Sequence, residues 1–341
     1  MLVDDFSYEL PPEAIAQTAI DPRDASRLLD TTTMTDRVFR ELPKLLDAGD
    51  LLVVNETKVR AARLVGERDG GGTTEVLLTG RIDNKRWEAL VRPARKLSPG
   101  SVVAVGPLRV ELLSTPVDGV ATVLVEGCST DIEDDIAAHG STPLPPYFHG
   151  EVELGRYQTV FASKIGSSAA PTAALHFTPE LVSEIEATGV GIAAVDLEVG
   201  IDTFRPMDRG RNGAATVEAH RMHSERVVVP PATVDAVERT RRSGGRVIAV
   251  GTTVVRSLES AATPHGGLAP FDGSTDLFIR PGFRFAAVDA VITNFHAPRT
   301  TLLVMIAALM GDRWRSVYRL ALDQGYRFLS FGDAMYLEVR R

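Results

Sequence analysis

Four stretches of this 341-residue chain carry residue types that could do chemistry. Gly251-Thr252-Thr253 follows the apolar run Ile248-Ala-Val and leads into Val254-Val-Arg256. A glycine lets the backbone approach a ligand, and hydroxyls with free amides at a helix start suit a carboxylate or phosphate. A plain capped turn has the same composition. Thr293-Asn294-Phe-His296-Ala-Pro-Arg299-Thr-Thr gathers an amide, an imidazole and a guanidinium within six residues. These are hydrogen-bond donors with one group that titrates near neutrality, although a loop histidine beside a helix start can be purely structural. Gly166-Ser-Ser-Ala-Ala-Pro-Thr172-Ala-Ala-Leu-His176-Phe-Thr is small and reads as flexible. It would let a flat ligand lie against the backbone, with His176 stacking or hydrogen-bonding to an aromatic ring; tight packing under a helix is the alternative. Last, Val199-Gly-Ile-Asp-Thr-Phe-Arg205-Pro runs on to His220, His223 and Glu225. Their spacing invites a metal reading, but the helical H-E-x-x-H order of zinc hydrolases is missing, so hydrogen-bonding residues of a polar pocket are the better reading. There is no G-x-G-x-x-G, Walker loop or G-x-S-x-G elbow to support nicotinamide, ATP or serine-hydrolase chemistry.

The elements that must position these groups alternate after residue 150. Thr178-Pro-Glu starts a helix that Gly189 ends, and Val190 to Val199 reads as a buried strand. Pro231 to Ser243-Gly-Gly is a second helix and Arg246-Val-Ile-Ala-Val the next strand. Val288 to Thr293 is a third strand, and Thr300 caps the apolar helix 301–310. Such alternation implies βαβ units and a largely parallel sheet, with ligands beyond the carboxyl ends of its strands. Gly49-Asp-Leu-Leu-Val-Val-Asn adds a buried strand upstream. Between Thr74 and Glu126, five short β-rich runs separated by turns suggest a small antiparallel barrel. The expected organisation is an α/β catalytic domain over 1–60 and 147–341, with a β-barrel domain inserted at 61–146.

Composition bounds the function. With 44% hydrophobic and 24% charged residues the chain is globular, and its lone Cys128 excludes an intramolecular disulfide or a cysteine-rich metal site. The longest apolar run, Leu302 to Met310, is about half the roughly 20 residues of a membrane span. The acidic start gives no secretion signal, so a soluble, cytoplasmic and monomeric protein is expected. The net charge of −8 opposes indiscriminate nucleic-acid binding, yet charge is segregated. Arg81 to Arg109 carries seven Lys/Arg against Asp83 and Glu88, while Asp131 to Glu153 carries six acids and no Lys or Arg.

Blocks along nearly the whole chain resemble the S-adenosylmethionine:tRNA ribosyltransferase-isomerases of queuosine biosynthesis. They include Asp5-Phe-Ser-Tyr-Glu-Leu-Pro-Pro, Arg23-Asp-Ala-Ser-Arg-Leu-Leu, Leu51-Leu-Val-Val-Asn-Glu-Thr-Lys-Val and Pro143-Leu-Pro-Pro-Tyr. Arg156-Tyr-Gln-Thr-Val-Phe, Ala170-Pro-Thr-Ala-Ala-Leu-His-Phe-Thr, Thr203-Phe-Arg-Pro and Met222-His-Ser-Glu follow. Val250-Gly-Thr-Thr-Val-Val-Arg-Ser-Leu-Glu-Ser, Thr275-Asp-Leu-Phe-Ile-Arg-Pro-Gly, the Thr293 stretch and Ser330-Phe-Gly-Asp-Ala-Met complete the series.

The resemblance implies a barrel-like α/β domain carrying an inserted β-barrel. It also implies transfer of the ribosyl part of S-adenosylmethionine to 7-aminomethyl-7-deazaguanine at the tRNA wobble position. Epoxyqueuosine forms, adenine and methionine leave, and no metal is needed. On the matching motifs, His176 and His296 would exchange protons with adenine or C5′, and Glu225 would act as base or hold the sulfonium. Thr172, Thr252, Thr253 and Arg256 would anchor the donor's carboxylate or a ribose hydroxyl. Arg205, His223, Asn294 and Arg299 would contact the base or a flanking phosphate, and Arg92, Arg95 and Lys96 the tRNA backbone. The chain departs from the family pattern at Arg60-Ala61, Ala174, Glu198 and Asp202. Two added carboxylates would repel an RNA phosphate while tolerating a cationic donor. A relative using a free deazapurine or other small acceptor, or a catalytically inactive RNA binder, are therefore the alternatives.

Overall fold

The structure is a computed structural model and describes residues 1–150, 152–200, 206–208, 210, 214–222, 224–265 and 267–339. Near the N-terminus, β1 (Arg27–Asp30) and β2 (Thr35–Val38) form an antiparallel pair. Leu51-Leu-Val-Val-Asn has no polar residue before its end, as a strand covered on both faces requires, and it forms the fully buried β3 (Leu51–Asn55). After the short β4 (Thr57–Val59) the chain enters six strands that close on themselves. These are β5 (Arg63–Arg68), β6 (Thr73–Arg81), β7 (Arg86–Arg92), β8 (Val102–Val105), β9 (Leu108–Leu112) and β10 (Val120–Glu126).

The barrel has one strand more than the five β-rich runs suggest. Arg63-Leu-Val-Gly-Glu-Arg buries only Leu64 completely, so its alternation is hard to see among charged residues. Its Gly66 is needed because a Cβ there would run into the carbonyl of Ala104 on β8. Elsewhere the period of two is plain: alternate residues of β10 are buried, and Trp87, Val76, Val103, Val110 and Val123 fill the interior. Helix α1 (Ile132–His139) starts on an Asp131 cap and packs Ile132 and Ile136 against that interior. Arg60 grips Glu133 of this helix with Nε and Nη2, at 2.8 and 2.9 Å, and lies over the Trp87 ring.

Beyond the barrel, β11 (Lys164–Ser167) pairs with β4, and Thr178 caps α2 (Pro179–Ala187) by accepting from the Leu181 amide. There follow β12 (Gly191–Leu197), β13 (Glu225–Val229), α3 (Pro231–Arg242), β14 (Val247–Val250), α4 (Thr252–Ser260) and β15 (Phe271–Thr275). The chain ends with β16 (Ala290–Asn294), α5 (Thr301–Met310), α6 (Arg313–Asp323) and β17 (Ala334–Glu338). Nine strands form one sheet in the order β15-β13-β12-β3-β14-β16-β17-β1-β2. The expected parallel arrangement holds for its centre, β12-β3-β14-β16. It does not hold at the flanks, where β13, β15, β17 and β2 pair antiparallel with a neighbour. No helix among the described residues is long and apolar enough to cross a membrane.

The central strands are tied at both ends. At the amino end, buried Asp50 accepts from the backbone amide and side chain of Arg246, which joins β3 to β14. Burial pushes the Asp50 carboxyl up, but hydrogen bonds from Arg246 and the Asp47 amide outweigh it and hold it below its ordinary range. On the covering layer, Glu259 of α4 accepts from three successive amides, Ala286, Ala287 and Val288. Replacing Asp50 with Ala leaves the Arg246 guanidinium without its main partner. Because Arg246 is 29% exposed, the expected loss is about 2 kcal/mol, below the 3–5 typical of a fully buried pair. The midpoint of urea unfolding reads it directly.

Candidate active site

The carboxyl ends of β14 and β16 open onto a cleft of about 620 Å³, solvent at its mouth included. Thr252 and Thr253 come from the turn after β14, Thr293, Asn294 and His296 from the end of β16, and Thr172 from the 3₁₀ helix 172–176. Ala170, Ala173, Val199 and Leu302 supply apolar wall. The segment around Ala170 was expected to be flexible; instead residues 167–171 are buried, because their small side chains let the chain pack between the sheet and the barrel. Among the described lining residues no Asp, Glu, Lys or Arg occurs.

Asn294 organises the cleft floor. Its Oδ1 accepts from the Thr172 hydroxyl at 2.9 Å and its Nδ2 donates to His176 Nε2 at 3.1 Å. His176 Nε2 is therefore the acceptor nitrogen, and Nδ1 carries the hydrogen that it donates to Ser26 Oγ at 2.7 Å. Burial, with the nearby Arg156, Arg327 and Arg23 cations, pushes the His176 pKa down to about 3. Stacked on Phe39, it is a neutral ring that orients Asn294 from behind the cleft.

His296 faces the cleft itself. Its Nε2 lies 3.0 Å from the Thr293 hydroxyl, and burial alone pushes its pKa to about 3. Two phenols fix its backbone: Tyr318 OH accepts from the His296 amide and Tyr8 OH donates to its carbonyl. Two hydroxyls close another wall, Tyr147 and Ser330, 2.6 Å apart.

Gly251 begins α4 with φ +97°, a conformation that costs an L side chain strain. Its own amide bonds to Ile292 O on β16 and its carbonyl accepts from the Val254 and Val255 amides, while the Thr252 and Thr253 amides have no acceptor among the described residues. Asn55, wholly buried at the end of β3, accepts from the Leu197 and Thr57 amides and donates to Leu197 O and Thr253 Oγ1. Asn55 thus holds α4 over the strand ends.

The cleft gathers Thr172, Thr252, Thr253, Asn294 and His296, with His176 behind them. It does not gather Glu225 and Arg256, which form a buried ion pair with each other. Arg256 also donates to the carbonyls of Leu277 and Thr275, and Glu225 accepts from the Gly200 amide. Arg299 turns to Ser7 Oγ at 3.3 Å, on a backbone of φ +58°. Arg205, His223 and Asp202 lie outside the described residues. Arg92, Arg95 and Lys96 are exposed on the barrel, at the end of β7 and the turn after it, with no ion pair among the described residues. Their neighbours Arg63, Arg86 and Arg109 pair with carboxylates. Asn55, Tyr147, Ser330 and Ser26 were not singled out; a buried asparagine ending an apolar strand was the one signal available for Asn55.

The family model described as queuosine biosynthesis protein matches residues 3–337. A protein named S-adenosylmethionine:tRNA ribosyltransferase-isomerase from Symbiobacterium thermophilum is 46% identical over 345 residues, covering 99% of this chain and 100% of its own. One of the same name from Thermotoga maritima is 46% identical over 346 residues, with the same coverage. The crystal structure of S-adenosylmethionine tRNA ribosyltransferase from Thermotoga maritima aligns with TM-score 0.54 and 38% identity, over 97% of this chain and 99% of that one.

Two neutral buried histidines give the fold an acid limit. Each has a folded pKa of about 3 against an ordinary 6.5, so the unfolded chain binds the extra protons. Their contribution is whole above pH 6.5 and declines as pH falls toward 3, by about 1.4 kcal/mol per pH unit per histidine. His176→Gln, measured by urea unfolding from pH 7 to pH 4, is expected to lose stability at neutrality but to show a shallower decline with acid. An unchanged slope would contradict the assignment.

Proposed function

The chain belongs to the queuosine biosynthesis family, and we propose that it is an S-adenosylmethionine:tRNA ribosyltransferase-isomerase. It converts 7-aminomethyl-7-deazaguanine at the wobble position to epoxyqueuosine and releases adenine and methionine. What carries the reading is a cleft without charged lining residues at the strand ends, polar on its floor, in a chain that aligns end to end with relatives of that name. No observation favours a free-base acceptor or an inactive RNA binder.

The chemistry asks for little beyond positioning and proton traffic. The sulfonium acidifies the adjacent C5′ hydrogens, so a base withdraws one and leaves the electron pair on carbon. Adenine departs with the glycosidic pair and takes up a proton. The C5′ pair closes the carbocycle on C1′ as the ring oxygen leaves C1′. That oxygen displaces the sulfur from C5′ to form the epoxide, methionine departs as a neutral thioether with the bonding pair, and the acceptor's amine nitrogen, losing a proton, takes adenine's place on C1′. His296, a neutral imidazole in the cleft wall, exchanges a proton with adenine or C5′. The α4 start, Thr252 and Thr253 with their amides, takes the donor's carboxylate or a ribose hydroxyl. Asn294 and Thr172 hold a polar edge in place, and His176 positions them. Glu225 and Arg256, bound to each other, brace α4 instead of touching the donor. Burial of the cleft's polar groups keeps water from competing with the amine.

The barrel supplies the acceptor's grip. Arg92, Arg95 and Lys96, free of carboxylate partners among the described residues, meet the RNA backbone, and the rest of the acidic surface discourages other anions.

Adenine release should require both S-adenosylmethionine and precursor tRNA. His296→Ala is expected to lower kcat by about 10²-fold or more with little change in donor affinity; unchanged turnover in a folded variant would remove His296 from the mechanism. Replacing Arg92, Arg95 and Lys96 with Gln should weaken tRNA binding. It should also reduce the slope of log affinity against log salt by about 2–3, with donor affinity intact.

A further inference from the structure

Three chain segments, of which only the last reaches the cleft, meet at a second cavity. Arg23 and Ser26 come from the first, Arg156 from the second, and Arg327 and Ser330 from the segment before β17; together they line a pocket of about 240 Å³ with His176. It shares Ser330 with the cleft, and the Asn294–His176 hydrogen bond spans the partition.

Three guanidinium groups around so small a space repel one another unless something neutralises them. None has a carboxylate ion pair among the described residues. Each is instead held by backbone carbonyls, which orient a guanidinium without cancelling its charge. Arg23 donates to Gln158 O and Gly155 O, Arg156 to Ile20 O, and Arg327 to Thr18 O and Phe331 O. Arg156 Nη1 is buried with no acceptor among the described residues. Asp21 acts on Arg23 and Arg156 only through space. The net field is positive enough to add to burial in depressing His176. A buried donor left over and cations aligned but uncompensated around one small, open pocket describe an oxyanion site.

Building on the tRNA reading above, we infer that this arginine pocket binds a backbone phosphate of the acceptor RNA next to the target nucleotide, and so sets the target base in the adjoining cleft. A phosphodiester is favoured over the donor's carboxylate because the α4 amides already offer the carboxylate a place inside the cleft. The arginine pocket lies across the partition, where a neighbouring nucleotide would run.

The test uses the full-length protein and a precursor anticodon stem-loop, with binding measured across a salt series. Arg156→Gln is expected to raise the RNA Kd about tenfold or more and to lower the salt slope by about 0.7–0.9, one phosphate's worth. S-adenosylmethionine affinity by calorimetry should stay unchanged. Arg156→Lys, which keeps the charge but not the fork, should recover the slope and only part of the affinity. A stem-loop with a single methylphosphonate flanking the target nucleotide should bind wild type as weakly as normal RNA binds Arg156→Gln, and the two changes should not add. If RNA affinity and slope are unchanged in both folded variants, the inference is overturned. It is equally overturned if Arg156→Gln weakens the donor instead, because the oxyanion is then the carboxylate. Failure of the tRNA reading itself shows separately, as wild-type adenine release that does not depend on RNA.

Discussion

The amide of Asn294 is the constraint on which the site rests. It sits at the end of β16, 2% exposed, where an unpaired polar group costs about 1–3 kcal/mol. All of its neighbours therefore have defined roles: Thr172 donates, His176 accepts, and Ser26 fixes the His176 tautomer from the other side. The chain reaches this point from three distant segments, so the network also specifies how those segments meet. A charged group here would need a partner, and the cleft has none to offer among its described lining residues. That is the physical reason His296 is neutral: burial strips an imidazolium of its solvation with no carboxylate to compensate, and at His176 the nearby arginine cations add to the same effect.

Charge is consequently sorted by depth. The cleft is neutral, its anion-attracting element being the amide end of α4, whose Gly251 conformation no L side chain adopts without strain. Arginines whose charges have no carboxylate ion pair occupy the next pocket out, and cations free of such pairs stand further away on the barrel. Elsewhere many of the barrel's basic residues are cancelled in pairs, as Arg63 by Glu75 and Arg109 by Glu111 and Glu126. A protein of net charge −8 can in this way present a narrow positive track without a generally basic surface.

Much of this was legible in the sequence, and the reasons differ by element. Helix starts were readable because Thr178 and Thr300 are local caps, and each accepts the expected third-residue amide. The central strands were readable because two-sided burial leaves no polar residue to mislead. Antiparallel flanks were not, since direction depends on where the chain returns, and β17 returns beside β16 after two helices. The cleft threonines, Asn294 and His296 were singled out because strand-to-helix turns are where parallel sheets bind ligands, and the structure brings them to one cleft. Glu225 was misplaced because residue type says nothing of the Arg256 that neutralises it. The arginine pocket was hidden for another reason: Arg23, Arg156 and Arg327 are separated by more than a hundred residues at each step, and only the tertiary fold brings them together.

The departures from the family pattern read differently once they are placed. Arg60 is no loose substitution, because its guanidinium is bidentate on Glu133 and stacked on Trp87, which locks the main body to the barrel helix. Ala174 is wholly buried within the 3₁₀ helix 172–176, where its methyl joins the core behind the cleft instead of entering it. Glu198 leans against Gly166, where a Cβ would strike its side chain, and burial followed by the neighbouring Asp196 pushes its pKa up. Its carboxyl does not line the cleft. The Coulomb argument against an RNA phosphate therefore loses the carboxylate on which half of it depended.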